Sequence, residues 1–196
     1  MAIILSLDAS TSSTGWAIFE GEKLTKYGVL KPKPALDWSE RIKDEFNFLN
    51  EIVQVANVDK IVAESPPAKQ GMLTVMQKLG AIQGMILSLG AINGISNEFF
   101  TPTQWRSRLG NVFDGTRKGT NRAELKRKAI EIANETFNLQ LKFVPNHPSQ
   151  NEDDIAEAIL IGWAYIHPTE RKKAFVAKSK EEKGMVIIGK QNQWRN

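Results

Sequence analysis

Ile3-Ile4-Leu5-Ser6-Leu7-Asp8 is an almost continuous apolar run that ends in a carboxylate, and Lys60-Ile61-Val62-Ala63-Glu64 repeats that pattern later in the chain. Runs of this length and composition are typical of central β-strands that are covered on both faces. The acid that ends each run is then expected at an edge of the sheet. A third acidic stretch, Asn151-Glu152-Asp153-Asp154-Ile155-Ala156-Glu157, opens a predicted amphipathic helix.

Hydrophobic periodicity along the rest of the chain predicts an α/β domain that begins with a meander. The predicted strands cover residues 2–7, 14–20, 23–30, 60–64 and 97–100, and the predicted helices cover residues 38–55, 69–88, 120–136 and 153–166. Thr101 and Pro102 are typical of a further helix start. Residues 110–119 are expected to form a loop. The helix at 69–88 suits either the core or a dimer face, and its composition favours the core.

Length and composition indicate one domain followed by a tail. The chain has 196 residues, of which 41% are hydrophobic. We expect the domain to cover residues 1–167 and a basic C-terminal tail to cover residues 168–196, with one strand at 184–189 and disorder elsewhere in the tail. No signal peptide is apparent and no apolar run suggests a membrane span, so a cytoplasmic location without a membrane partner is expected.

Several kinds of chemistry are excluded or made improbable by composition. The chain has no cysteine, which excludes thiolate zinc sites, disulfides and a cysteine nucleophile. Only two histidines are present, His147 and His167, so a histidine base or an imidazole-rich metal site has few candidates. Carboxylates are therefore the main candidates for catalytic groups.

Positive charge is concentrated in two segments. Residues 104–128 contain eight cations against two acids, and residues 168–196 contain eight cations against three acids. Charge of this density next to a predicted acidic cleft is the pattern expected for a polyphosphate partner such as nucleic acid.

The acids are expected to form one site. Strands joined by a crossover that contains a helix are normally parallel, so Asp8 and Glu64 should meet at the same sheet edge. On the last helix Asp154 and Glu157 are three residues apart and share a face. Four carboxylates in one cleft can hold two Mg²⁺ ions about 4 Å apart, which is the geometry for hydrolysing a phosphodiester.

These stretches together resemble the ribonuclease H-like superfamily, and within it the RuvC-type Holliday-junction resolvases, particularly the smaller phage versions. The matching signals are Leu5-Ser6-Leu7-Asp8-Ala9-Ser10 with Thr14-Gly15-Trp16-Ala17, then Ile61-Val62-Ala63-Glu64, then Asp154-Ile155-Ala156-Glu157-Ala158-Ile159, in the family's order. The resemblance implies a five-stranded mixed sheet flanked by helices, a homodimer, and cleavage of four-way junctions and other branched DNA with Mg²⁺ or Mn²⁺.

The resemblance also assigns residues. Asp8, Glu64 and Asp154 fall on the family's three metal-binding acids, Glu157 takes the position of a fourth, and Asp153 is the alternative if the register shifts by one. Four cations are expected to contact DNA, namely Arg106, Lys118, Arg122 and Lys126. Among them, Arg106 is the candidate for stabilising charge at the scissile phosphate. The second basic residue of the site is left open between Lys118 and Arg122.

One departure from the family affects substrate choice. Bacterial resolvases carry an aromatic wedge after the strand glutamate, whereas Ser65-Pro66-Pro67-Ala68-Lys69-Gln70 contains none, and Met72 or Leu73 would be a weak substitute. We therefore expect a structure-selective endonuclease that cuts branched DNA broadly. Two alternatives are kept: a fragment of an actin-like phosphate-loop ATPase or kinase, suggested by residues 8–15, and a catalytically silent DNA-binding protein.

Overall fold

The computed structural model describes residues 1–65, 73–109 and 121–168. The expected loop at 110–119 and the tail with its strand at 184–189 lie outside these residues, apart from Pro168. Within them the chain forms a five-stranded mixed sheet with helices on both faces, as predicted. The order of the strands is β3-β2-β1-β4-β5.

The strands and helices lie close to their predicted positions. The strands are β1 (Ile3–Ala9), β2 (Thr14–Glu20), β3 (Lys23–Leu30), β4 (Lys60–Glu64) and β5 (Ser96–Phe100). The helices are α1 (Trp38–Ala56), α2 (Leu73–Asn93), α3 (Pro102–Arg108), α4 (Arg122–Phe137) and α5 (Asp153–Ile166), and a 3₁₀ turn covers Pro148–Gln150. The largest difference is in α2, which continues five residues beyond its predicted end at residue 88.

Helix boundaries follow from capping side chains. Asp37 accepts a hydrogen bond from the backbone N–H of Trp38 at the start of α1, and Asn57 ends that helix in the left-handed conformation with φ 53°. Thr101 and Gln104 form a reciprocal capping box at the start of α3. The cap at Thr101 was predicted, and the structure confirms it.

Strand pairing places the two strand-end acids at the same edge. β1 pairs in parallel with β4, with Leu7 opposite Ala63, so Asp8 and Glu64 each follow directly. β2 runs antiparallel to both β1 and β3. β5 lies parallel to β4 on the other side, so the chain that leaves β5 enters α3 next to Glu64.

The hydrophobic core has two halves, one on each face of the sheet. Leu5 and Leu7 of β1 pack with α1 and α2, whereas Ile4 faces the layer formed by α3, α4 and α5. This alternation is the one expected for a strand that is buried on both faces.

By length and composition alone, α2 is able to cross a membrane, and in the described part of the chain it is the one helix that passes this test. One such helix is weak evidence for a membrane span, and Ile82, Met85, Ile86 and Leu89 of α2 lie in the core.

Candidate active site

The beginning of α5 lies directly against the end of the β1–β2 pair. Asp8 pairs with Gly15 across the two strands, and a Cβ atom on Gly15 would lie 1.8 Å from the backbone oxygen of Asp154. Only a residue without a side chain allows this approach. Farther along α5, Gly162 makes a similar approach to Phe19 and Ser6. These two close approaches therefore fix the position of α5 on the sheet, and with it the position of its acids.

Three acids of α5 have different surroundings. The Asp153 side chain is 4% exposed and forms an ion pair with Lys126 of α4. Asp154 is 28% exposed, accepts a hydrogen bond from the Ser13 hydroxyl and lies 3.8 Å from Lys126. Glu157, one turn later, accepts a 2.8 Å hydrogen bond from Arg106 of α3. Lys126 and Arg106 thus neutralise opposite ends of this acidic turn.

Glu64 is held by α3. The indole Nε1 of Trp105 donates a 2.7 Å hydrogen bond to Glu64 Oε2, and the Trp105 side chain is fully buried. The Arg106 guanidinium lies over the Trp105 ring at 4.7 Å from its centroid. Successive residues of α3 therefore contact Glu64 and Glu157.

The acids interact strongly enough to resist ionisation together. Burial raises the pKa of Asp8 well above its ordinary value, and the charges of Glu157, Glu64 and Asp154 raise that pKa further. Burial also raises the pKa of Glu64, although the hydrogen bond from Trp105 opposes this change. For Asp154, burial raises the pKa and the Ser13 hydrogen bond opposes it. The charges of the other three acids that the sequence singled out therefore all act on Asp8.

A cleft of about 560 Å³ opens beside these side chains. Its polar lining contains the acids Asp8, Glu64 and Glu157. The cations that line it are Arg106, Arg122 and Lys126. Ser10, Ser65 and Gln83 also line the cleft, and its apolar wall includes Val75, Met76, Leu79 and Ile82 of α2. The cleft can therefore take a ligand that carries both negative charge and apolar surface.

The acids fit a hard divalent cation in chemistry, but they do not form a ready-made coordination shell. Among the described residues, no three acidic or histidine side chains converge closely enough to hold a metal ion as they stand. Instead, Arg106, Lys126, Trp105 and Ser13 each contact one or more of these carboxylates. A divalent cation nevertheless stabilises the ionised form of buried acids that raise one another's pKa, so the cluster is chemically suited to bind one.

The structure brings some of the predicted site residues together and does not describe others. Asp8, Glu64, Asp154 and Glu157 are brought together, with Asp153 adjacent. Arg122 lines the cleft and lowers the pKa of Glu64, whereas Lys126 is engaged with Asp153 and Asp154. Lys118 and Met72 lie outside the described residues. Leu73, the other suggested wedge, is 83% exposed at the start of α2.

Two contacts of the candidate site were not predicted from the sequence. Neither Trp105 nor Ser13 was among the predicted site residues. The signal that could have found Trp105 is its place on the first turn of a capped helix that directly follows β5. Ser13 had no comparable signal, because its partner Asp154 lies 141 residues away.

Comparison with known proteins supports the fold. No protein-family model and no curated protein matches this chain. A structure of Thermus thermophilus RuvC in complex with a Holliday junction substrate aligns with a TM-score of 0.61 at 15% identity, covering 91% of this chain and 96% of RuvC. The yeast mitochondrial Holliday junction resolvase Ydc2 aligns with a TM-score of 0.57 at 11% identity, covering 92% of this chain and 84% of Ydc2.

These alignments and the sheet order define a protein of the ribonuclease H-like fold class. More narrowly, the chain has the fold of the RuvC-type Holliday-junction resolvases, which confirms the fold that the sequence resemblance implied.

Proposed function

We propose that this chain is a metal-dependent, structure-selective endonuclease that cuts branched DNA, including four-way junctions. The observation that carries the proposal is the acidic cluster around Asp8, located at the edge of a RuvC-type sheet and beside three cations. The similar structures support the substrate class, because one is RuvC with a Holliday junction substrate and another is a Holliday junction resolvase.

Asp8, Glu64, Asp154 and Glu157 would hold Mg²⁺, with Mn²⁺ as a substitute and Asp153 as the alternative ligand to Asp154. Two such ions, when bound, activate a water and stabilise the leaving oxygen of a phosphodiester. Because the charges of all three other acids act on Asp8, it is the residue on which ion binding would depend most. Oxygen ligands and a small number of protein side chains suit magnesium.

The cations of the cleft would bind and orient the DNA backbone. Arg106 is suited to stabilise charge at the scissile phosphate, because α3 holds its guanidinium within reach of Glu157. Arg122 lines the same cleft and would contact a phosphate nearby. Lys126, which is bound to Asp153, would contact DNA once an ion takes over that charge. Lys118 is retained as a proposed contact from the sequence.

The proposal includes a homodimer, which would bring two such sites to one junction. The apolar side chains that α2 leaves exposed support it, among them Leu87 and Ile92. The division into a domain at 1–167 and a basic tail at 168–196, a cytoplasmic site of action and a phage origin are also parts of the proposal.

Cleavage of labelled four-way, three-way, forked and linear DNA in Mg²⁺ tests the proposal. The wild type is expected to cut the branched substrates and to stop when EDTA is added. Asp8→Asn should abolish cutting and retain binding, measured by gel shift in Ca²⁺. Asp44→Asn is the matched control, because Asp44 is exposed on α1, away from the cleft.

Other outcomes would contradict the proposal in different ways. Binding without cutting in both Mg²⁺ and Mn²⁺ would favour the silent DNA-binding alternative. ATP hydrolysis without any nuclease activity would favour the phosphate-loop alternative. Cutting of the four-way junction alone would retain the nuclease and contradict the expected breadth of substrates.

A further inference from the structure

An acid occupies a core position of α1. Glu45, Leu49 and Val53 are four residues apart and form the buried stripe of that helix, and Glu45 is 0% exposed. Burying a carboxyl group is costly unless its oxygens find donors. An apolar residue would fill this position at lower cost, so the contacts of Glu45 are informative.

Glu45 has one hydrogen-bonding partner in the described part of the chain. The Thr14 hydroxyl donates to Glu45 Oε1, whereas Glu45 Oε2 is buried without a partner among these residues. Burial raises the pKa of Glu45 to about 7, and the Thr14 hydrogen bond opposes that change. Thr14 is itself fully buried at the first position of β2.

Thr14 connects Glu45 to the serine turn between β1 and β2. Its Oγ1 lies 3.4 Å from both the backbone nitrogen and the backbone oxygen of Ser10. A hydroxyl group has one proton, so when Thr14 donates to Glu45, its oxygen is left to accept from the Ser10 N–H. Without an acceptor at position 45, the proton would turn to the Ser10 carbonyl oxygen instead.

Ser10 in turn organises the rest of the turn. Its hydroxyl donates to the Ser13 carbonyl oxygen at 2.8 Å and accepts from the backbone N–H groups of Ser12 and Ser13 at 3.4 and 3.2 Å. The Ser10 N–H also donates to the Ser13 carbonyl oxygen at 3.1 Å. These contacts fix the backbone at Ser13, whose hydroxyl donates to Asp154 Oδ2.

We propose that Glu45 is a positioning residue for the candidate active site, acting through Thr14 and Ser10 on Ser13 and thus on the orientation of Asp154. The claim that this orientation matters for metal binding rests on the proposed function. The hydrogen-bonded chain itself does not, because it joins α1 to the start of α5 whatever the site binds. Glu45 touches neither the cleft lining nor any acid proposed as a ligand in the described contacts.

The test separates a positioning role from a structural one with four variants. Glu45→Leu removes the acceptor and fills the core position, Glu45→Gln keeps an acceptor oxygen, and Thr14→Val removes the hydroxyl at nearly constant volume. Glu51→Leu is the matched control, because Glu51 is exposed on the same helix. For each variant we would measure amide hydrogen exchange at Ser10, Ser12 and Ser13, thermal unfolding, and Mn²⁺ binding by electron paramagnetic resonance.

In Glu45→Leu and Thr14→Val, these amides are expected to exchange about tenfold faster than in the wild type. Both variants should bind Mn²⁺ about tenfold more weakly, because removing a group that orients a metal ligand usually lowers the metal affinity by at least this factor. Their melting temperatures should not fall in proportion to these changes. Glu45→Gln should keep the amide exchange and the Mn²⁺ affinity close to those of the wild type. Unchanged exchange and Mn²⁺ binding in Glu45→Leu would overturn the proposal. If Glu45→Leu does not fold, comparing amide exchange and Mn²⁺ binding between Thr14→Val and Glu45→Gln tests the same proposal.

Failure of the proposed function would appear differently. A wild type that binds no Mn²⁺ and cuts no branched DNA would contradict the nuclease, and the amide exchange would still decide whether Glu45 orders the turn.

Discussion

Glu45 is a residue whose ionisation opposes folding. Its pKa is about 7 in the folded chain against an ordinary value of 4.5, so the folded state binds more protons than the unfolded state between these values. Stability is therefore retained below about pH 4.5 and falls as pH rises toward 7. Above pH 7, a pKa shift of this size lowers the free energy of unfolding by about 3 kcal/mol.

Glu45→Gln should remove this cost. We expect the variant to unfold at a higher temperature than the wild type at pH 8 and at nearly the same temperature at pH 4.5, with both proteins in EDTA. Thermal unfolding followed by circular dichroism across this range is the measurement. A difference that does not change with pH would show that Glu45 does not ionise within the range.

The clustered acids Asp8, Glu64 and Asp154 have the same sign of pH dependence in metal-free protein. Because each has a raised pKa in the folded chain, ionising them opposes folding as pH rises above the ordinary range of carboxylic acids. A divalent cation held as proposed would reverse the effect, since it would bind the ionised forms.

Mg²⁺ is therefore expected to raise the melting temperature of the wild type more at pH 8 than at pH 5. At a concentration about 100-fold above the dissociation constant, the gain is about 2.7 kcal/mol. Asp8→Asn should lose most of this gain, and EDTA should reverse it in the wild type. An equal rise in Asp8→Asn would mean that the ion binds elsewhere.

At the scale of elements, the position of α5 depends on Gly15. In Gly15→Ala the new Cβ would lie 1.8 Å from the Asp154 backbone oxygen, so the beginning of α5 has to move away from β2. We expect a loss of about 3 kcal/mol, at the upper end for overpacking, and a weakened site. Chemical unfolding against Thr11→Ala, a change in the adjoining turn, is the measurement. Equal stabilities would show that α5 adjusts without cost.

Most elements could be predicted because their signals are local. The apolar runs of β1 and β4, the cap at Thr101 and the stripe of α5 each lie within a few residues of sequence. Parallel pairing of β1 and β4 followed from the crossover rule, and it placed Asp8 beside Glu64. The close approach at Gly15 could not be predicted, because its other partner is a backbone oxygen of α5.

The assignment between Asp153 and Asp154 shows the same limit. One step along a helix turns a side chain by about 100°, so the two neighbours have different surroundings, although both lie within 4 Å of Lys126. Asp153 is buried against Lys126, and Asp154 contacts Ser13 and affects the pKa of Asp8. The sequence contains both acids and does not specify which of them the α4 lysine neutralises.

At the scale of the whole molecule, α2 is the element whose surface is least explained by one copy of the chain. Its core side packs on the sheet through Ile82, Ile86 and Leu89, whereas Leu87 on the opposite side and Ile92 on a flank are exposed. Gly80 and Gly84 are exposed, and apart from their own helix and chain neighbours no atom lies within 4 Å of where a Cβ would be, so backbone is accessible on the turns that precede Leu87. Apolar side chains next to accessible backbone suit a second helix packed closely against this one.

The proposed homodimer would use this side of α2, and Leu87→Glu tests it. Light scattering with size-exclusion chromatography should give a dimer for the wild type and a monomer for the variant, because the dimer would bury an unpaired carboxylate. Lys78→Glu is the control for charge on the same helix. On a plasmid with an extruded cruciform, the dimer should linearise DNA by two cuts, whereas the monomeric variant should leave nicked circles. A monomeric wild type, or a variant that remains dimeric and linearises the plasmid, would contradict the use of α2.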